Sequence, residues 1–307
     1  MAENYVRFWG VRGSYPTPFP SHLQYGGNTT CLEIRAGNHL AIIDGGSGII
    51  PLGDLLMRQQ DITEFLLLFT HYHWDHISGM PFFVPAFVPR FSIRITGPGN
   101  SPEEVKHILG QQMKAPYFPV ETETWLADVQ YLDTRIDHLE HGPIKLQRFV
   151  VHHPGTTYGY RITVNDRHVV FVPDQELLFI DQPINLRLVD AELGADEKRL
   201  LEQMKEEEKW SLLKPMMNAH ALIHDAQYTP EDYASKRGWG HSCYVDTVNC
   251  AIDAGARSLY LFHHDPGYPD HKLDTLHHHA RELIRDRGAD VACHLAQEGL
   301  IIDFDAL

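Results

Sequence analysis

A chain of 307 residues has room for one large domain or two small ones, and its 43% hydrophobic content supplies a sizeable core. A formal charge of -15 argues against a broad surface for long nucleic acid, whose binding rests on Lys and Arg displacing counterions. No apolar run is long enough to span a membrane, and Met1-Ala2-Glu3-Asn4 lacks the basic-then-apolar pattern of a signal peptide, so a cytoplasmic location is expected. The cysteines Cys31, Cys243, Cys250 and Cys293 are widely spaced and read as buried free thiols of a reducing compartment.

In chain order, strands are predicted at Tyr5–Trp9, Thr30–Arg35 and His39–Ile43. The third runs into Asp44-Gly45-Gly46-Ser47-Gly48, a turn that lacks the G-x-G-x-x-G order of a dinucleotide site. A helix follows near Pro51–Gln59, then the apolar strand Phe65–Phe69. Pro81, Pro85 and Pro89 restrict Ile77–Val84 to a short helix or lid. Ile93–Thr96 reads as a strand, and Pro102–Met113 as a helix capped by Ser101. More strands are expected near Val129–Leu132, Ile144–Val151, Gly159–Val164, His168–Val172 and up to Leu222-Ile223. Ala195–Trp210 reads as a charged, solvated helix within an insertion spanning about 178–217. Cys243–Ala254 and Leu273–Arg287 are helical, Gly255 suiting the end of the first. His277, His278 and His279 point in different directions on the last helix and form no compact site. This alternation gives an α/β chain with helices outside two packed sheets.

At the exit of the Phe65–Phe69 strand stands His71-Tyr72-His73-Trp74-Asp75-His76, an H-x-H-x-D-H loop. Imidazole and carboxylate are ligands of zinc and neighbouring transition metals. His71 and His73, two apart in extended chain, face the same way. Asp75 and His76 follow the turn and address a second ion.

The loop resembles the signature of the metallo-β-lactamase superfamily. The resemblance runs from about Tyr5 to Ile302 and implies a single αββα sandwich over 1–307, of two mixed sheets with helices outside. It further implies ligands at strand ends. His153 lies before Pro154-Gly155, Asp174 follows Val169–Val172, and His263 follows Leu259–Phe262. The residues alone leave His152 and His153 open. The order His-Pro-Gly, then Gly-Tyr-Arg, is similar to relatives in which the His before Pro is the ligand, and so points to His153. On this reading His71, His73 and His153 hold one metal, Asp75, His76 and His263 the other, and Asp174 bridges. Two divalent ions are implied; zinc is the default, with manganese or iron also suited to such donors.

Two segments narrow the branch. Leu222-Ile223-His224-Asp225-Ala226-Gln227-Tyr228 and Gly240-His241-Ser242 resemble the paired H-E-A-T and H-S-T segments of RNase Z-like phosphodiesterases. Asp225 stands where Glu is usual and Cys243 where Thr is usual. A phosphodiester leaves an alkoxide, a poor leaving group unless protonated as the bond breaks. The resemblance assigns that proton to His241, oriented by Asp225. A water between the ions would attack phosphorus as hydroxide, with Asp75 accepting a proton.

Phe8–Ser14 and Tyr25–Thr30 are similar to small bacterial members of this branch, some of which cleave cyclic nucleotides. No Gly/Pro-rich tRNA-gripping arm is found between Asp174 and Asp225. A small phosphodiester, foremost a cyclic nucleotide, is therefore expected, with a homodimer by resemblance only. The alternatives are an RNA-processing nuclease, a hydrolase of another ester, thioester or lactone, and a non-hydrolytic redox or sensor module. Tyr117-Phe118-Pro119 reads equally as a mobile flap or a packed aromatic pair. His22, Arg90 and Lys114 are offered as phosphate contacts, His224 as a group behind the ligands, and His264-Asp265-Pro266 as such a group or a turn.

Overall fold

The computed structural model describes residues 3–177 and 194–307. The first part of the expected insertion, 178–193, lies outside the described residues.

One sheet contains β1 (Asn4–Gly10), β2 (Cys31–Ala36), β3 (His39–Ile43), β4 (Glu64–Leu68), β5 (Ser92–Thr96) and β6 (Asp128–Tyr131). The other contains β7 (His138–His141), β8 (Ile144–Val151), β9 (Thr157–Val164), β10 (Arg167–Val172), β11 (Ala221–Asp225), β12 (Ser258–Phe262) and β13 (Ala292–Leu295). β14 (Ile301–Asp303) returns to the edge of the first, giving the orders β14-β1-β2-β3-β4-β5-β6 and β13-β12-β11-β10-β9-β8-β7. Each sheet is antiparallel in one half and parallel in the other: β3 to β6 are parallel, as are β10 to β13.

The inner faces meet in a core that includes Val6, Phe8, Ile34 and Leu66 from one sheet and Ile162, Phe171, Ile223 and Phe262 from the other. The helices α1 (Ile49–Arg58), α2 (Trp74–Ile77) and α3 (Pro102–Gln111) belong to the first half of the chain. Leu52 and Leu56 of α1 and Val105 and Leu109 of α3 pack on the outer face of the first sheet with Phe65, Leu67 and Ile93. The second half adds α4 (Ala195–Leu213), α5 (Pro230–Lys236), α6 (Tyr244–Asp253) and α7 (Asp270–Asp286). Val248 and Ala251 of α6 and Ala280 and Ile284 of α7 cover Val170, Leu222 and Leu259 on the other side. The architecture is the expected αββα sandwich. β4 and β11 are buried along nearly their whole length, as parallel strands covered on both faces must be.

Several local expectations shift. α1 begins two residues early because Pro51 is tolerated in a first turn, where no intrahelical N–H is needed. Ile77–Val84 is broken into short helical pieces, as its prolines require: α2 ends at Ile77, and two short 3-10 turns, Met80–Phe82 and Val84–Phe87, follow with proline near each start. Ser101 accepts the N–H of Glu104 and caps α3 as expected. The His triplet of α7 splits three ways: His277 Nε2 donates to the Cys293 carbonyl, His278 pairs with Glu282, and His279 meets the Tyr244 hydroxyl.

Candidate metal centre

The parallel halves bring the carboxyl ends of β3, β4, β10, β11 and β12 to one rim of the sandwich, where open α/β sheets place their chemistry. β8 runs in the same direction and ends there too. Each leaves the sheet carrying a polar residue: Asp44 after β3, His71 and His73 after β4, His153 after β8, Asp174 after β10, Asp225 ending β11, and His263 after β12.

All seven residues expected to hold metal come together there. His71, His73, His153 and Asp174 form one group, and Asp75, His76, His263 and Asp174 a second, with donor atoms within 4.8 Å of one another in each. Asp174 belongs to both and divides its oxygens. Its Oδ2 lies 3.4 Å from His71 Nε2 and 3.7 Å from His153 Nε2. Its Oδ1 lies 3.2 Å from His76 Nε2 and 3.3 Å from His263 Nε2. Asp75 Oδ2 lies 3.1 Å from His263 Nε2. His71 Nε2, His76 Nε2 and Asp174 Oδ1 are buried and without hydrogen-bond partners, a costly arrangement unless a cation completes it. Neutral imidazoles and carboxylates converging in this way suit divalent zinc, manganese or iron.

The other ring nitrogens are tied down, which fixes tautomer and orientation. His153 Nδ1 donates to the Gly240 carbonyl at 2.7 Å, and His263 Nδ1 to Gln227 Oε1 at 3.0 Å. His76 Nδ1 donates to Asp44 Oδ2 at 2.8 Å. His71 Nδ1 donates to Thr70 Oγ1 at 3.0 Å, and that hydroxyl donates onward to Asp44 Oδ2 at 2.8 Å. One buried carboxylate, Asp44, therefore orients an imidazole in each group. Asp44 and His263 both hold left-handed backbone, at φ 65° and 59°, a strain that the surrounding structure must enforce. Gly13 is required beside the second: a Cβ there would stand 2.4 Å from His263 Cε1.

The two groups differ electrostatically. Burial pushes His153 down to about 4 despite Asp174, and holds His71 well below the ordinary imidazole range. Burial also opposes charge on His263 and His76, but the carboxylates outweigh it there. Asp174 and Asp75 raise His263 to about 9, and with Asp44 raise His76 well above its usual value. Asp75 is driven up by burial and down, more strongly in sum, by His76 and His263; its carboxyl ends below the usual range.

Beside the second group, Asp225 Oδ2 accepts from His241 Nδ1 at 2.9 Å. The shorter carboxylate thus reaches the ring. Asp225 also accepts the backbone N–H groups of Gln175 and Gln227, each at 3.0 Å, which fix its plane. The His241 ring stacks on His263, with centroids 4.8 Å apart and planes at 17°, and lies 5.1 Å from the His153 ring. Asp225, His241 and His263 also satisfy the spacing of a metal group, but His241 Nδ1 is already engaged by Asp225.

His152 turns away and pairs with Glu208 of α4 at 3.1 Å, so the charged helix is tied to the residue next to His153 rather than merely solvated. Other expectations are corrected. Arg90 donates to the carbonyls of Leu56, Met57 and Gln59, closing the end of α1. His22 Nε2 is buried against the Pro266 carbonyl. Lys114 lines a surface cleft with Glu103 and His107. His264 donates to the Ala296 carbonyl, and His224 Nδ1 to the Asp225 carbonyl, so neither faces the metal groups. Tyr117 is exposed while Phe118 meets Phe82 edge-on, so the pair is divided between the two readings. Sequence reasoning passed over Asp44, Thr70, Gln227 and Glu176. The Asp44-Gly45-Gly46 turn after β3 carries the one sequence signal for Asp44. Glu176 accepts the N–H groups of Gly238 and Gly240 and the Tyr233 hydroxyl, and so fixes the loop that carries His241.

A profile of the metallo-beta-lactamase superfamily matches residues 25–209. Ribonuclease Z of Gemmatimonas aurantiaca is 26% identical over 326 residues, covering 95% of this chain and 97% of that one. Ribonuclease Z of Picrophilus torridus is 21% identical over 312 residues, covering 93% of each. Among solved structures, the metallo-beta-lactamase fold protein YhfI from Bacillus subtilis superimposes with a TM-score of 0.64 at 18% identity, covering 97% of this chain and 98% of that one. Among the described residues no helix is long and apolar enough to cross a membrane. With its profile spanning more than half of the sequence and likeness to ribonuclease Z along nearly all of it, the chain belongs to the metallo-beta-lactamase superfamily, on its RNase Z-like branch, and is a metal-dependent hydrolase.

Proposed function

We propose that the protein is a phosphodiesterase acting on a small phosphodiester, foremost a cyclic nucleotide. The observation that carries this reading is the Asp225–His241 pair, 2.9 Å long and stacked against His263. Hydrolysis at two metals needs no such pair when the leaving group is good; an alkoxide leaving from phosphorus does. Ribonuclease Z relatives, whose name denotes RNA cleavage, support the choice of phosphorus over an acyl centre.

In this reading His71, His73 and His153 would hold one divalent ion and Asp75, His76 and His263 the other, with Asp174 shared by the two groups. Bound there, the ions would supply an activated water and offset charge on the phosphoryl oxygens. Asp75, whose Oδ2 also accepts the Ser14 N–H at 2.6 Å, takes the proton released by the attacking water. His241 gives its Nε2 proton to the leaving oxygen, and Asp225 keeps the ring in the tautomer that can do so. Zinc is the ion we favour. The chain acts as one domain over 1–307 in the cytoplasm, as a homodimer.

The net charge of -15 supports a small substrate over a long RNA. A ribonuclease of the RNase Z kind is the second reading, favoured by those same full-length relatives. Product analysis separates them. Zinc- or manganese-loaded protein is given cyclic mono- and dinucleotides alongside a precursor tRNA. Ring opening of a cyclic nucleotide, lost in His241→Ala, is the expected result. Cleavage of the tRNA alone would establish the second reading, and turnover of neither would remove both.

A further inference from the structure

Two tryptophans stand exposed on the segments that flank the metal centre. Trp74 lies between His73 and Asp75 and is 66% exposed; Trp239 precedes Gly240 and is 62% exposed. The two segments are held one imidazole apart. His153 Nε2 is 2.9 Å from His73 Nδ1, and its Nδ1 is 2.7 Å from the Gly240 carbonyl.

Both indoles are carried on fixed backbone. Trp74 begins α2, and its carbonyl accepts the Ser78 N–H. Trp239 sits at the crest of a loop whose N–H groups on either side, Gly238 and Gly240, both donate to Glu176. Gly240 holds φ +89°, and a Cβ there would stand 2.3 Å from His153 Nδ1, so the close approach of this loop is built in. Neither indole has a ring contact or hydrogen-bond partner among the described residues. Trp9, by contrast, donates to Glu33 at 2.8 Å.

Large aromatic faces exposed to water on fixed backbone beside a reaction centre gain apolar contact on stacking. Aromatic side chains of this kind stack nucleobases without needing hydrogen-bond readout. We propose that Trp74 and Trp239 flank the mouth of the site and take the base of a base-bearing phosphodiester, so that the enzyme selects nucleotides over base-free phosphodiesters. This rests on the phosphodiesterase reading above. The residues are specificity determinants, and the bond-breaking steps are left to the groups already named.

The test compares adenosine 3′,5′-cyclic phosphate with base-free ribose 3′,5′-cyclic phosphate on the zinc-loaded protein. Wild type should prefer the base-bearing substrate. Trp74→Ala and Trp239→Ala should each cut that preference about tenfold, through KM, while the Phe variants retain it. Trp210→Ala, an exposed tryptophan on α4, should leave it unchanged. An unchanged preference in both Ala variants, or equal loss on both substrates, would overturn the proposal. Indole fluorescence gives a readout independent of turnover. Adenosine monophosphate should quench the wild type more than ribose 5-phosphate does, and less so in each Ala variant. If neither cyclic phosphate is hydrolysed, the phosphodiesterase reading falls and quenching alone decides: its presence sustains the base site, and its absence removes it.

Discussion

One group at the metal centre meets Asp174 with three imidazoles; the other meets it with two imidazoles and a second carboxylate, Asp75. The geometry is alike, yet the charge is not. In the first, burial dominates and the rings are held neutral, with His153 down at about 4. In the second, carboxylates outweigh burial and His263 rises to about 9. The carboxylates therefore favour positive charge in the second group more than in the first. Metal uptake should therefore depend on pH more steeply in the second group than in the first.

The strongest way to break the distinction is at the residue both groups share. Asp174→Ala should abolish binding of both ions and lower activity by on the order of a thousandfold or more. Metal analysis after gel filtration checks it; retention of one equivalent would show that the groups do not depend equally on Asp174.

A smaller effect is expected one layer out. Asp44 holds His76 directly and His71 through Thr70. Asp44→Asn should weaken metal affinity in both groups by about 10- to 100-fold, the usual cost of losing such a partner. Competition with a chromogenic chelator measures this, and a loss confined to one group would contradict the shared role.

The mildest test reads the metal-free protein. His263 has a folded value near 9 against an ordinary 6.5, so it adds stability below pH 6.5 that is lost as pH rises through about 9. His153 has a folded value near 4, so it adds stability above pH 6.5 that is lost as pH falls through about 4. Chelator-stripped protein should therefore melt highest near pH 6.5 and lower on both sides. Bound metal should remove the alkaline loss. A metal-free midpoint that keeps rising to pH 9 would contradict the assignment.

His71, His73, Asp75 and His76 were legible from the residues themselves, as an H-x-H-x-D-H loop at the exit of the apolar run Phe65–Phe69; His153, Asp174 and His263 were legible through family likeness, with apolar runs such as Val169–Val172 placing them at strand ends. The Asp225–His241 pair was legible only through family likeness; in isolation each reads as a cap or a local hydrogen bond. Asp44 was hidden because its role depends on β3 and β4 lying side by side, with Ile43 opposite Leu68, a pairing that no local pattern encodes. The same holds for Glu176, whose partners Gly238 and Gly240 lie more than sixty residues away. The short strands β7 and β14 were missed because runs of four and three residues carry no clear period. Arg90 attracted a phosphate role by its charge alone, and only its three carbonyl contacts on α1 reveal a structural task.

The role of His241 can be tested apart from metal binding by varying the leaving group. Wild type and His241→Ala, each shown to hold the same metal content, would be compared on a cyclic nucleotide, whose alkoxide must be protonated, and on bis(p-nitrophenyl) phosphate, whose phenolate leaves unaided. The variant should lose about 100-fold or more on the first and far less on the second. Equal losses on both, with metal content intact, would contradict proton donation by His241.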